Sequence, residues 1–422
     1  MAFGERTMNT ADHHKIVTLA VSGLPASSRS FWEPLCPQIE ATCMVPDEVA
    51  IPLLNGEDGP WRRYFPSDAP KHSFEKRGAS ARAHFFDVRF YVEHVLAALR
   101  REEVPEACAF LGVLSHSLGD FAEPAHYCER EVTLLLPPPP ERANCNSHRM
   151  IEDTPTTLDR HSYVAGALGD TVDTIVLRLE GRLRELYERA MATALPMLSA
   201  LYVGDTAAAS RLSDRVLAET VEVMGDVLHS CWCVYRGSWT EEEREAMSVC
   251  RLDRMEPAAY DVEFNYGCRP IRGAITLDQR GAAIPLQLSI QQDGVTTVRA
   301  VDGLCVVPHA LPIKGTRPLA AVEFDLPPKA FSRFTSVVGL LAGFSPQATC
   351  RFVVEGDGRA LLESPPVRAG DAALEVDVEL SGIRRLRMVV HTDGSTDKLA
   401  FPIWGRPTVR NEAAKPAAPG DA

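Results

Sequence analysis

The sequence has no apolar run long enough to cross a bilayer, no CxxC pair and no Gly-x-Ser-x-Gly stretch. Each absence removes a class of protein. A spanning helix needs about 20 consecutive apolar residues, so no transmembrane segment is expected. Eleven cysteines, an odd number without paired spacing, do not make a disulfide framework. Cys231 and Cys233 form only a CxC on a helical stretch and read as reduced core thiols. With no nucleophile elbow, and no cysteine beside an evident activating partner, a covalent-nucleophile mechanism lacks its parts. Positive charge is also scarce. The 44 Lys+Arg against 57 Asp+Glu leave a net charge of −13, which opposes neutralising the phosphates of a long nucleic acid, so no stable nucleic-acid complex is expected. The N-terminal residues mix charge and histidine, and their one apolar run, Ile16–Leu24, is short. No signal peptide is read there; a cytoplasmic location is the expectation, with secretion by another route as the alternative.

What is present is a chain of 422 residues, longer than one ordinary core, so more than one domain is expected. A helical pattern runs from Asp12 or His14 to Ser22, where Pro25 and its serines follow. Residues 31–82 are rich in proline and glycine and read as loop with short helical pieces. Helical spacing of apolar residues then marks 83–101 and 104–121, and longer amphipathic stretches mark 172–194 and 207–235. LLLPPPP at 134–140 reads as an extended excursion. Near Arg251 the period changes to alternation in PLQLSI, AAVEFDL, TCRFVVE, LEVDVEL and RLRMVVH, the pattern of a β-sandwich. The expected fold class is multidomain α+β: an all-α domain at 1–250, a jelly-roll-like β-sandwich at 251–410 and a flexible tail at 411–422.

The chemistry concentrates in LSHSLGDFAEPAH, Leu114–His126. His116 and Asp120 lie four apart on one helical face, Pro124 breaks the helix, and His126 follows the break. NSHRMIED repeats the spacing with His148 and Glu152. If His14 and His84 join them, five imidazoles and two carboxylates exceed what one tetrahedral zinc uses, so two or three Zn2+ ions are expected. On the first helix, His14 is read as the ligand and His13 as pointing elsewhere. Asp120, flanked by His116 and His126, is placed to bridge two ions. Multinuclear zinc suits phosphoester hydrolysis because the ions lower the pKa of a shared water and neutralise the leaving oxygen. His229, on the last long helix, reads as a packed helix residue.

The pattern His116-x3-Asp120-x5-His126, followed by His148-x3-Glu152, resembles the trinuclear-zinc family shared by bacterial phospholipase C and the fungal single-strand nucleases. ARAHFFDVRFY around His84 and HHKIVTLAV around His14 resemble that family's earlier ligand segments, and the likeness covers most of residues 1–240. It implies an all-α fold in which His84, His116 and Asp120 hold one zinc. His126, His148 and Glu152 would hold a second, and His14 with Asp120 would contribute to a third. It also implies an upstream aspartate, for which Asp47 in VPDE is the first choice and Asp58 and Asp68 are rivals. Asp120 and Asp47 are then the catalytic carboxylates. Two features depart from the family. The chain opens Met-Ala-Phe-Gly, without the tryptophan amine that ligates the third zinc, and Glu152 matches the phospholipase ligand rather than the nuclease aspartate.

RFTSVVGL, RFVVEGDGRALLES, VDVELSGIRRLRMVV and Trp404 resemble, in that order, the NPCBM family of carbohydrate-binding modules over residues 280–408. That implies a sugar-binding sandwich, with Trp404 either a stacking platform or a core residue. The functional expectation is a zinc-dependent phosphodiester hydrolase of phospholipase C type, acting on a phospholipid or another phosphodiester, with a glycan held by the C-terminal domain. Two alternatives use the same residues: a single-strand-type nuclease, or a catalytically inactive metal- and glycan-binding protein.

Overall fold

A computed structural model describes residues 10–54, 59–66, 87–127, 147–262, 271–272, 274–276, 283–292, 294–307, 319–342, 348–392 and 401–412. The chain divides into two compact units, the first closing at Glu243.

The first unit is helical. Its described α-helices are α1 (Thr10–Ser22), α2 (Ala26–Trp32), α3 (Cys36–Cys43), α4 (Val45–Leu54), α5 (Val88–Arg100), α6 (Val104–Ala122), α7 (Ser147–Glu152), α8 (Val172–Tyr202) and α9 (Thr206–Arg236), with α10 (Glu241–Ser248) beginning at its end. Polar side chains set the ends. Asp87 accepts from Phe90 N to cap α5; Thr171 and Thr174 cap α8 reciprocally; Asp205 accepts from Ala208 N to start α9. Gly237 closes α9 with φ 62°, in the left-handed region that favours glycine. One apolar core is assembled by α1, α5, α6, α8 and α9, with Ile16, Leu96, Leu99, Leu111 and Val227 at zero exposure. Trp32 joins it fully buried, its indole N–H donating to Leu228 O at 3.0 Å.

Two stretches are more helical than the sequence pattern suggests. VPDE does not sit in a loop: Pro46 falls in the first turn of α4, where its missing N–H costs nothing, and carries Asp47 on that turn. Helix α8 also runs past Ala194 to Tyr202 with Pro196 inside. Ala194, Met197 and Leu198 are buried there against Ala125, Ile151 and Ala209, so packing outweighs the broken hydrogen bond. The excursion at 134–140 lies outside the described residues.

The second unit is an antiparallel β-sandwich. One sheet runs Leu374–Glu379, Arg333–Leu340, Pro402–Arg410, Gly303–Cys305, Ile271–Arg272, with Val249–Arg251 also paired to Pro402–Arg410. The other runs Arg359–Glu363, Thr349–Gly356, Arg385–Thr392, Leu319–Asp325, Ala259–Val262, with Val367–Arg368 beside Thr349–Gly356. Alternate residues of Arg333–Leu340 and Leu374–Glu379 are buried, as a half-buried strand requires. The inner faces meet at Trp404, at zero exposure, with Phe352 edge-on at 5.2 Å and Phe334 at 6.3 Å. Trp404 is therefore a core residue and offers no face to a sugar. No described helix is long and apolar enough to cross a membrane. The described cysteines, eight in number and Cys231 and Cys233 among them, are all free.

Candidate metal centre

Three helices bring four chemically active side chains together. Helix α6 supplies His116 and Asp120, α4 supplies Asp47, and α1 supplies His13. His116 Nε2 lies 3.2 Å from Asp120 Oδ2 and 3.3 Å from Asp47 Oδ1. His13 Nε2 lies 3.7 Å from the other Asp120 oxygen, Oδ1. The two imidazoles stack, centroids 4.2 Å apart and 12° from parallel. Both histidines are completely buried, while the side chains of Asp120 and Asp47 are 11% and 21% exposed. Asp120 thus spans both rings, one oxygen to each, and Asp47 is the member most open to solvent.

The residue that α1 contributes to this cluster is His13, where the sequence reading takes His14. His13 precedes Ile16, Val17 and Ala20 by three, four and seven residues, and all three are at zero exposure, so it continues the buried stripe of α1. His14 lines up instead with exposed Thr18 and Ser22 and is only half-buried. The stripe was visible in HHKIVTLAV and could have selected His13. Gly119, one turn along α6 from His116, completes the seat: a Cβ there would lie 2.7 Å from His13 Nδ1. Only a residue without a side chain lets the imidazole approach so closely.

Electrostatics separate the two imidazoles. Burial, and then the neighbouring His116, pushes His13 down to about 4. Burial also acts to lower His116, but the carboxylates of Asp120 and Asp47 outweigh it and raise that ring to about 10. In the ion-free state His13 is therefore neutral and His116 holds a proton among carboxylate oxygens. Neither His13 ring nitrogen has a hydrogen-bond partner although both are buried, an expensive arrangement for a polar group unless something coordinates it. Two donors on one tetrahedral zinc stand about 3.3 Å apart, which is the separation His116 keeps from both carboxylates. The donor atoms of His13, His116 and Asp120 all lie within 4.8 Å of one another, with Asp47 beside His116, and imidazole and carboxylate donors are chemistry that Zn2+ accepts.

Of the other expected ligands, Glu152 ends α7 half-buried and lines a cleft with Ile16, Gly119, Ala122, Glu123 and Pro124. That cleft shares α1 and α6 with the cluster. Glu123, which the sequence reading passed over, is a buried acid in the same cleft and accepts from Ala125 N at 3.3 Å. Its place between Asp120 and the proline break was the available signal. His84, Asp58 and Asp68 lie outside the described residues, as do the side chains of His126 and His148.

Residues 315–410 match the NPCBM/NEW2 domain family. No curated protein sequence matches the chain. Among solved structures it is similar to the M60 catalytic domain with the CBM51-1 and CBM51-2 domains from Clostridium perfringens ZmpB, with 14% identity, 39% of this chain and 15% of that one covered, and a TM-score of 0.30. It is similar to CBM51 from C. perfringens GH95 in complex with methyl-galactose at 17% identity, covering 38% of this chain and 99% of that one, with a TM-score of 0.29. It is also similar to alpha toxin from Clostridium absonum at 11% identity, covering 96% and 99%, with a TM-score of 0.37. The chain spans only 15% of the length of the ZmpB structure. The molecule is thus a helical unit followed by a β-sandwich in which residues 315–410 are an NPCBM/NEW2 domain.

Proposed function

We propose that the helical unit is a zinc-dependent phosphodiester hydrolase of the phospholipase C type, and that the β unit docks it on a surface glycan. The observation that carries the first part is Asp120 reaching His13 with one oxygen and His116 with the other, with Asp47 beside them. His13, Asp47, His116 and Asp120 would hold the metal, and Glu152 would extend the set along the adjoining cleft. Bound zinc supplies Lewis acidity that acidifies water and neutralises phosphoryl charge.

The residues do the rest. Asp120 faces both imidazoles, one oxygen at 3.2 Å from His116 and the other at 3.7 Å from His13. Gly119 lets the His13 ring seat against α6, and the apolar stripe of α1 excludes water behind it. Asp47 combines proximity to His116 with the greatest exposure in the cluster, which suits it to take the proton from an attacking water. The Glu152-lined cleft is where a phosphodiester would lie, and Glu152 itself agrees with the phospholipase form of the sequence motif. The docking role rests on the NPCBM/NEW2 match, with Trp404 assigned to the core and not to sugar.

The test is phosphocholine release from phosphatidylcholine vesicles by the full-length protein, with and without a chelator. Release that stops on chelation and returns with added zinc is expected. Absence of release across several phospholipids overturns the assignment, as does zinc-dependent digestion of single-stranded DNA in its place. A glycan array with the intact chain tests the β unit, and no retained glycan would remove the docking role.

A further inference from the structure

A second cluster in the helical unit uses none of the residues above. His229 and Cys233 face the same way from α9, four residues apart and buried. Glu243, in the first turn of α10, meets them across the turn that begins with Gly237. His229 Nε2 lies 2.5 Å from Glu243 Oε1 and 3.5 Å from Cys233 Sγ. The three donor atoms all lie within 4.8 Å of one another.

The hydrogen bonds around this cluster fix its polarity. Ser28, on α2 and fully buried, donates its hydroxyl proton to Pro25 O at 3.1 Å. Its oxygen is then free to accept, and His229 Nδ1 is 2.9 Å away, so Nδ1 carries the proton. Nε2 consequently turns its lone pair, or a second proton, toward a carboxylate oxygen and a sulfur. Glu243 is oriented by Thr240. Its Oε2 accepts from Thr240 N at 2.8 Å, and its own N–H donates to Thr240 Oγ1 at 3.1 Å, a capping box that leaves only Oε1 facing inward. Three donors therefore converge on one point, and their charge balance requires a cation there. The candidates are a proton on Nε2 or a metal ion.

One of the two distances already matches a soft-to-borderline metal. On a tetrahedral zinc a thiolate sulfur and an imidazole nitrogen stand about 3.5 Å apart, the separation seen between Cys233 Sγ and His229 Nε2. The carboxylate need only open by roughly 0.8 Å to reach the matching N···O spacing of about 3.3 Å, and Glu243 is the member that can move, since its side chain is 16% exposed. The Ser28 hydroxyl supplies the outer hydrogen bond that metal-bound imidazoles ordinarily make through their second nitrogen.

We propose that His229 Nε2, Cys233 Sγ and Glu243 Oε1 bind one zinc-type divalent cation, with Ser28 orienting the imidazole. Binding releases two protons to solvent, one from the Cys233 thiol and the one held between His229 Nε2 and Glu243 Oε1, and forms the metal–sulfur and metal–nitrogen bonds in their place. The site closes the turn after α9 and so pins Glu243 to the last long helix of the unit. Its role is structural: His229 and Cys233 are buried and the Glu243 side chain is only 16% exposed.

Cobalt(II) substitution of the intact chain tests this. The His13/His116 cluster offers only nitrogen and oxygen, so a near-ultraviolet thiolate-to-cobalt charge-transfer band reports a cysteine ligand and nothing else described there. The band is expected in the wild type and expected to vanish in Cys233→Ser, with the loss of one bound ion and with hydrolytic turnover retained. Glu243→Gln, which keeps an acceptor for Thr240, is expected to weaken cobalt binding at least tenfold without removing the band at saturation. A wild-type cobalt protein without the band overturns the proposal, as does a band that persists in Cys233→Ser. In either case the His229–Glu243 pair holds only a proton.

Discussion

Gly119→Ala puts the geometry of the centre to a severe test, because helix propensity and packing predict opposite signs. In an exposed helix interior, alanine for glycine stabilises by about 1 kcal/mol. At this position the new Cβ would fall 2.7 Å from His13 Nδ1, 2.8 Å from Cε1 and 3.1 Å from Ile16 Cδ1. Real Cβ contacts do not come that close, so the ring or helix α1 must give. The ring is buried and stacked on His116 at 4.2 Å, and sliding it away lengthens its 3.7 Å approach to Asp120. Overpacking of this kind costs about 1–3 kcal/mol, so the net expectation is a loss of roughly 0–2 kcal/mol instead of a gain. The more telling effect is on metal: displacing His13 removes one donor while leaving the other three. Denaturant unfolding gives the stability change, and metal analysis of the purified variant gives the ion content. Gly225→Ala, whose Cβ would collide with the Tyr163 hydroxyl, is the control: it is expected to lose stability while keeping its zinc. A Gly119→Ala protein that gains stability and retains full metal content and turnover would refute the placement of His13.

The remaining expectations can be read with the same two measurements and a pH series. His13→Ala should lower zinc content and turnover together, whereas His14→Ala, on the exposed side of α1, should change stability by no more than about 0.5 kcal/mol and leave turnover intact. Asp120→Ala should cost more in turnover than the roughly 10–100-fold typical of losing an outer partner of a metal ligand, and more metal than Asp47→Asn, because Asp120 faces both imidazoles. Trp404→Ala should destabilise the β unit by about 3–5 kcal/mol, while Trp404→Phe should keep whatever glycan the intact chain retains. Asp226 is raised from 3.8 to about 6 by burial, against the opposing pull of Arg182 and the Gly166 N–H. The native state therefore holds this proton to higher pH than the unfolded chain does, and stability falls as pH rises from about 4 to about 6, by an amount on the order of 3 kcal/mol. Asp226→Asn should flatten that part of the pH–stability curve; an unchanged slope would place the buried proton elsewhere.

Periodicity carried much of the fold where burial is one-sided. Stripes such as Val92, Val95, Leu96 and Leu99 on α5, and the alternation of LEVDVEL, declare which face is inward without knowledge of the partner. The errors fall where a local rule met a tertiary one. VPDE falls in a stretch read as loop-rich and the long helix is ended at 194, yet Pro46 sits in a first turn that has no N–H to lose and Pro196 is overruled by the packing of Met197 and Leu198. The spacing of His116 and Asp120 could be trusted, since i, i+4 on a helix fixes two side chains to one face by backbone geometry alone. Choosing between His13 and His14 needed the phase of α1 relative to its core, and counting forward to Ile16, Val17 and Ala20 would have supplied it. Nothing local could have supplied the convergence of Ser28, His229, Cys233 and Glu243. Ser28 and Glu243 come from helices far apart in sequence, and each has a sufficient local explanation, a hydroxyl bonded back to Pro25 and a capping-box acid. A residue already satisfied by its neighbours in sequence hides its long-range role. The spare valence, one lone pair on Ser28 and one oxygen on Glu243, becomes visible only when every local hydrogen bond has been assigned, and the same assignment explains why both side chains are aimed at a single histidine.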